Sequence, residues 1–167
     1  REKYDGFTIY GYRGTAAETY ANENGFTFIP LDLVKFDRFE DTTSTSVVYD
    51  VTVHSGAVVE ESQYAELYEE WSEDHYWINK LTFDARGVAP ITINDYGFAG
   101  ANGAPGYIRT IDFIGSGDVV FGSQAFNFTG IESLTLPENV KFKDNAEGIF
   151  TSCLRLKKAD IYCDVVP

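Results

Sequence analysis

The sequence predicts an α+β fold: a short solenoid of stacked parallel strands, preceded by an N-terminal strand–helix cap. Three observations lead there. Residues 78–163 repeat at a period near 23, each repeat puts apolar residues at the first, fourth and sixth positions of a six-residue strand, and a turn with an aromatic anchor follows most strands. The strands are residues 78–83, 108–113, 131–136 and 156–161. Their fourth positions, Leu81, Ile111, Leu134 and Ala159, are spaced by 30, 23 and 25 residues, so two units carry insertions. A repeat of this length has an open apolar face that only its neighbour can cover.

The chain opens with a different grammar. Phe7-Thr8-Ile9-Tyr10 reads as a strand, and Gly11 and Gly14 bracket a turn. Thr15, with Glu18 three residues on, has the spacing of a capping box, and residues 16–24 favour helix with Ala17, Tyr20 and Ala21 on one face. Gly25 stands where a left-handed residue closes a helix, and Phe26-Thr27-Phe28-Ile29 reads as a second strand. This strand–helix–strand unit of residues 1–31 is too small to be stable alone.

Residues 32–46 read as a linker, with charges alternating with Phe36 and Phe39 before the polar run Asp41-Thr42-Thr43-Ser44-Thr45-Ser46. Residues 47–53 alternate as a strand, Val47, Tyr49, Val51 and Val53 lying on one side. Residues 60–74 predict an amphipathic helix capped by Ser62, because Tyr64, Leu67, Tyr68 and Trp71 recur at helical spacing. Together, residues 47–77 are expected to cap the first apolar face of the array in 78–167, since terminal units of solenoids are atypical. Within the array the anchors are Tyr96-Gly97-Phe98, Gln124-Ala125-Phe126 and Gly148-Ile149-Phe150, with residues 100–106 as an inserted Gly-rich loop.

Composition excludes several classes. With 44% apolar and 16% aromatic residues the 167-residue chain is not disordered, and 26 acidic against 13 basic side chains give a net charge of −13. That charge repels phosphate backbones and anionic lipid, so neither nucleic acid nor membrane insertion is expected; no apolar run is long enough to span a bilayer. The chain has no Met and begins Arg1-Glu2-Lys3, which predicts part of a longer protein. Cys153 and Cys163 are too few for a disulfide framework and match no zinc spacing, so they are expected as buried or half-buried thiols.

The run "IESLTLPENVKFKDNAEGIFTSCLRLKKADIYC" at 131–163 resembles the BspA-like leucine-rich repeat, which reads roughly L-x-x-(I/L)-x-(I/L)-P-x-x-V, a bridge, then A-F-x-x-C-x-x-L. Leu134, Leu136, Pro137, Val140, Phe150 and Cys153 occupy the pattern; the match is fair at 108–130 and degraded at 78–107. "FTIYGYRGTAAETYANENGFTFIPL" at 7–31 resembles the segment that closes such arrays in surface proteins of gut anaerobes. The resemblance implies a leucine-rich-repeat-like solenoid, with one array ending near residue 31 and another beginning near 47. It also implies a secreted or cell-surface bacterial protein that binds proteins, other cells or polysaccharide, and it supplies no catalytic site.

The residues themselves point the same way. The Glu-rich stretch at 60–73 shows no facing carboxylate pair, no Ser or Cys has a nucleophile-elbow context, and Gly115-Ser116-Gly117 reads as a turn, so no catalytic residue, cofactor or metal is expected. Because strand side chains alternate, the third and fifth positions face outward and build a polar ladder: Lys80 and Thr82, Thr110 and Asp112, Ser133 and Thr135, Lys158 and Asp160, with Tyr162 at its edge. Ordinary solvated strand faces carry the same pattern. A second candidate surface is aromatic, comprising Trp71, Tyr76 and Trp77 near His75, with Tyr107 in the inserted loop; flat rings of this kind stack on sugars, as in a carbohydrate-binding module of a polysaccharide-degrading protein. The expectation is an interaction or adhesion module for a protein or polysaccharide partner, with self-association through an open repeat end near Val166-Pro167.

Overall fold

A computed structural model describes residues 7–11, 15–30, 33–39, 48–61, 78–99 and 108–164. They form mostly strands, in parallel and mixed sheets with one helix, an α+β arrangement without a closed barrel. The chain divides into two compact units, Arg1–Leu33 and Val34–Pro167.

In the first unit, β1 (Thr8–Gly11) and β2 (Thr27–Pro30) pair in parallel, Thr8 opposite Thr27, across the helix α1 (Ala16–Asn24). Thr15 takes an extended N-cap backbone, but its side chain makes no cap hydrogen bond; the backbone N–H and hydroxyl of Thr19 both donate to the Thr15 carbonyl instead. Gly25, at φ 64°, closes the helix, and the Phe26 N–H donates back to the Ala21 carbonyl. Ala21 is fully buried, whereas Tyr20 is exposed and leans its ring toward Phe26.

The second unit alternates long and short strands. A front series comprises β3 (Val34–Phe39), β4 (Val48–His54), β6 (Ile78–Ala85), β8 (Ile108–Gly115), β10 (Ser133–Leu136) and β12 (Lys158–Ile161); a back series comprises β5 (Val58–Val59), β7 (Ile91–Ile93), β9 (Val119–Phe121) and β11 (Val140–Phe142). The back strands form one parallel sheet in the order β11-β9-β7-β5. The front strands form a sheet β3-β4-β6-β8, parallel except for β3, and a separate parallel pair β10-β12.

Residues 34–39, inside the stretch expected to link the units, thus form an edge strand: Val34 and Phe36 pair opposite Val53 and Val51, and Phe36 meets Tyr49 edge to face. The alternation of charge with Phe in this stretch is the period of a strand with one covered face. The ladder also starts earlier than residue 78. Val51 pairs with Leu81 and Leu81 with Ile111, while Leu134 pairs with Ala159. A register shift at Tyr49/Asp50 lets Val48 and Val51 both turn inward. The helix expected at 60–74, apart from its first two residues, and the loop at 100–106 lie outside the described residues.

Between front and back lies an aromatic core. Phe83, Phe121 and Phe126 are fully buried, with Phe121 at 5.0 Å from Phe126 and 5.6 Å from Phe83 between ring centroids. The three anchors stack: Phe98 on Phe126 at 5.9 Å and Phe126 on Phe150 at 5.3 Å, both pairs nearly parallel. Two residues before each ring the backbone turns left-handed, at Tyr96, Gln124 and Gly148, and successive turns bond through Tyr96 N–H to Ser123 and Gln124 N–H to Glu147. At the other turn, Gly117 N–H donates to the Ala85 carbonyl at 2.8 Å; a side chain on Gly117 would stand 2.7 Å from that oxygen, so only glycine allows the approach.

Phe126 is the ring on which most of these contacts converge. Phe126→Ala should cost roughly 3–5 kcal/mol, as for other buried Phe truncations, read as a lowered midpoint in chemical denaturation at unchanged slope.

Candidate binding site

Outward-facing side chains of the front strands line up in rows set by register: Asp50, Lys80 and Thr110; then Thr52, Thr82 and Asp112; then His54, Asp84 and Ile114. On the separate pair, Ser133 faces Lys158 and Thr135 faces Asp160. The front therefore brings together Thr110, Asp112, Ser133, Thr135, Lys158 and Asp160 of the expected site. Trp71, Tyr76, Trp77 and Tyr107 lie outside the described residues. One ladder position departs from expectation: Thr82 is buried, because it sits on a central strand with Thr52 on one side and Asp112 on the other.

Much of the ladder is engaged internally. Asn79 donates to Asp50 at 2.8 Å, Thr110 donates to the Asn79 carbonyl, and Lys158 donates to Asp160 at 2.6 Å. Asp84, 7% exposed, accepts two 2.7 Å hydrogen bonds from the Arg86 guanidinium, and His54 Nδ1 lies 3.2 Å from its Oδ2. The Arg86 hydrogen bonds hold the Asp84 carboxyl down to about 2 against the opposing effect of burial, with the charges of Arg86 and His54 helping. The two cysteines are free, and burial pushes both thiols up. Cys153 donates to the Phe126 carbonyl and lies 3.2 Å from the Thr129 hydroxyl, a packing role within the core.

The front breaks between β8 and β10. Behind it the back sheet is continuous, Val119 pairing with Val140 and Phe121 with Phe142, yet no strand pairing joins β8 to β10. At the break lies a cleft of about 370 Å³ lined by Thr110, Asp112, Ser133 and Thr135 together with Phe113 and Pro137. A second hollow, of about 480 Å³, continues past Pro137 toward the Asp118–Lys141 ion pair.

Backbone orientation adds polar groups to this seam. Asp84 C=O accepts from Ser55 beside β4, while Ala85 C=O accepts from Gly117 beyond β8, so alternate residues of β6 face opposite neighbours. In a parallel ladder, Leu81 and Phe83 then bond to Thr110, Asp112 and Ile114, which leaves the N–H and C=O of Ile111 and Phe113 turned toward β10. On β10, Glu132 and Leu136 carbonyls accept from Lys157 and Tyr162 at the β12 side, so Ser133 and Thr135 present their backbone groups to β8. The side chains of Asp112, Ser133 and Thr135 make no hydrogen bond or ion pair among the described residues.

The sequence carried one signal for this seam: the spacing of fourth positions drops from 30 to 23 between Ile111 and Leu134. Eight-residue front strands give way there to four-residue ones, and the back pairing continues alone. Among the described residues no three His, Cys, Asp or Glu side chains gather as a metal site requires, and no helix is long and apolar enough to cross a membrane. In comparisons with known proteins, no family model, no curated protein and no solved structure matches the chain.

Asp84 gives a pH test of the front ladder. Its folded-state value lies below the ordinary 3.8, so its stabilising contribution is full above about pH 4 and is lost as pH falls toward 2. Thermal melts should show the wild type above Asp84→Asn at pH 6, with the gap closing by about pH 2; a gap independent of pH would contradict the Arg86–Asp84 account.

Proposed function

We propose that residues 48–164 form a short leucine-rich-repeat-like array of the BspA type, and that it serves as a non-catalytic interaction or adhesion module of a secreted or cell-surface bacterial protein. In this reading the strand–helix–strand unit at 1–31 closes a preceding array, residues 32–46 lead into the next, and the partner is a protein or polysaccharide. The parallel registers Val51–Leu81–Ile111 and Leu134–Ala159 support the repeat architecture, since equivalent positions of successive units lie side by side.

The observation that carries the binding role is the seam. Repeat surfaces bind through the face where successive strands align, and here that face contains a cleft in which the Asp112 carboxylate and the Ser133 and Thr135 hydroxyls have no partner among the described residues. An exposed, unengaged polar group has only its hydration to give up to a ligand, whereas Asp84 would also have to leave Arg86. The net charge of −13 supports a partner other than nucleic acid. The carbohydrate-binding alternative through Trp71, Tyr76, Trp77 and Tyr107 rests on residues outside the described ones.

A glycan array and a pull-down from extracellular matrix, run with wild type and the double variant Asp112→Ala/Thr135→Ala, test this reading. Loss of two polar contacts should reduce retention about tenfold or more without lowering the melting temperature. Retention that survives the double change but disappears in Trp71→Ala/Trp77→Ala would move the function to the aromatic surface.

A further inference from the structure

Resting on the reading of the front as a binding face, we propose that the β8–β10 cleft receives a cationic side chain, lysine or arginine, from a protein partner. The cleft carries one charge, the Asp112 carboxylate, which makes no ion pair among the described residues. Around it Ser133 and Thr135 bring hydroxyls, and the backbone of Ile111, Phe113, Ser133 and Thr135 turns both N–H and C=O groups toward the opening. An ammonium has three donors and no acceptor, and a guanidinium has five donors in a planar fork; either can pair with the carboxylate while its remaining donors meet the carbonyls and hydroxyls beside it.

The same walls hold no fully exposed ring for a sugar to stack on. Phe113, the aromatic residue at the cleft, is half-buried, and its ring meets Phe83 at 5.3 Å and Phe121 at 6.4 Å. Charge complementarity favours a basic partner over long range as well, because the chain carries −13 in total. The face also holds an internal competitor. Lys80 stands opposite Thr110, one row from Asp112, exposed and without an ion pair among the described residues. Its positive charge stands one row from the carboxylate that a partner's cation would use, so removing it should strengthen binding rather than weaken it.

Residue-resolved NMR titration of the whole chain with Nα-acetyl-arginine amide, and separately with methyl β-glucoside, tests the proposal. The arginine derivative should shift the amides of residues 111–113 and 133–135. Asp112→Asn should weaken that binding about tenfold, the loss of a charge-assisted hydrogen bond, and Lys80→Gln should tighten it about twofold. Asp144→Asn, on an exposed residue away from the cleft, should leave it unchanged, and added salt should weaken it.

Shifts at the same amides with the glucoside but not the arginine derivative overturn the proposal while keeping the cleft as a binding site. Equal weakening by Asp144→Asn overturns it too, because the attraction would then be bulk charge. No shift with either probe, with matrix retention still lost in Asp112→Ala/Thr135→Ala, defeats the cationic partner alone. No shift together with unchanged retention defeats both the proposal and the binding face.

Discussion

The structure of the second unit depends on one constraint: each pass of the chain presents an apolar row that only the next pass can cover. Val51, Leu81 and Ile111 meet in one row, and Val53, Phe83 and Phe113 in the next, while Val59, Ile93, Phe121 and Phe142 align behind them. No single strand here could bury its own inward side chains. Cooperative stacking is therefore what holds the strands, and the turns must be small enough to let it happen. Gly115 and Gly117 show the tightness required, since a Cβ on either would stand 2.7 Å from the Ala85 backbone.

That constraint acts more strictly on the back than on the front. The back strands have three residues or fewer and pair without interruption, and the stacked rings of Phe98, Phe126 and Phe150 hold the adjoining turns in step. The front has to reconcile long strands with short ones. It does so by breaking its hydrogen-bonded pairing between β8 and β10 while keeping Ile111 and Leu134 nearly covered. The core stays closed, and the mismatch appears on the outward side, where it leaves a polar cleft instead of a void. The cleft lies where eight-residue front strands give way to four-residue ones.

How much of this was legible in the sequence follows from the same physics. The rows at 81, 111 and 134 were visible because inward positions demand apolar residues, and the anchors were visible because a stacked ring has few substitutes; Ala159 pairs beside Leu134 as expected, but it and Ile161 are exposed on the last described strand. Val48, Val51 and Val53 carry the same first, fourth and sixth pattern, but the valines at both 47 and 48 let simple alternation compete with it; the register shift beside Asp50 goes with the burial of Val48 and Val51 alike. Phe36 and Phe39 looked like part of a linker because a half-covered edge strand has little more apolar character than a loop. The burial of Thr82 and Asp84 was not legible, because it depends on which polar neighbours the register sets beside them. The seam left only an indirect trace, a shortened spacing whose meaning depends on which sheet yields.

Amide hydrogen exchange resolved by residue tests the central claim most directly. If the front is interrupted and the back is not, the amides of Phe113 and Thr135 exchange much faster than that of Phe83, which β8 covers, and than those of Val119 and Phe121 in the back sheet. Protection of Phe113 and Thr135 equal to that of Phe83 would mean that β8 and β10 are paired, and the cleft with its proposed role would not exist.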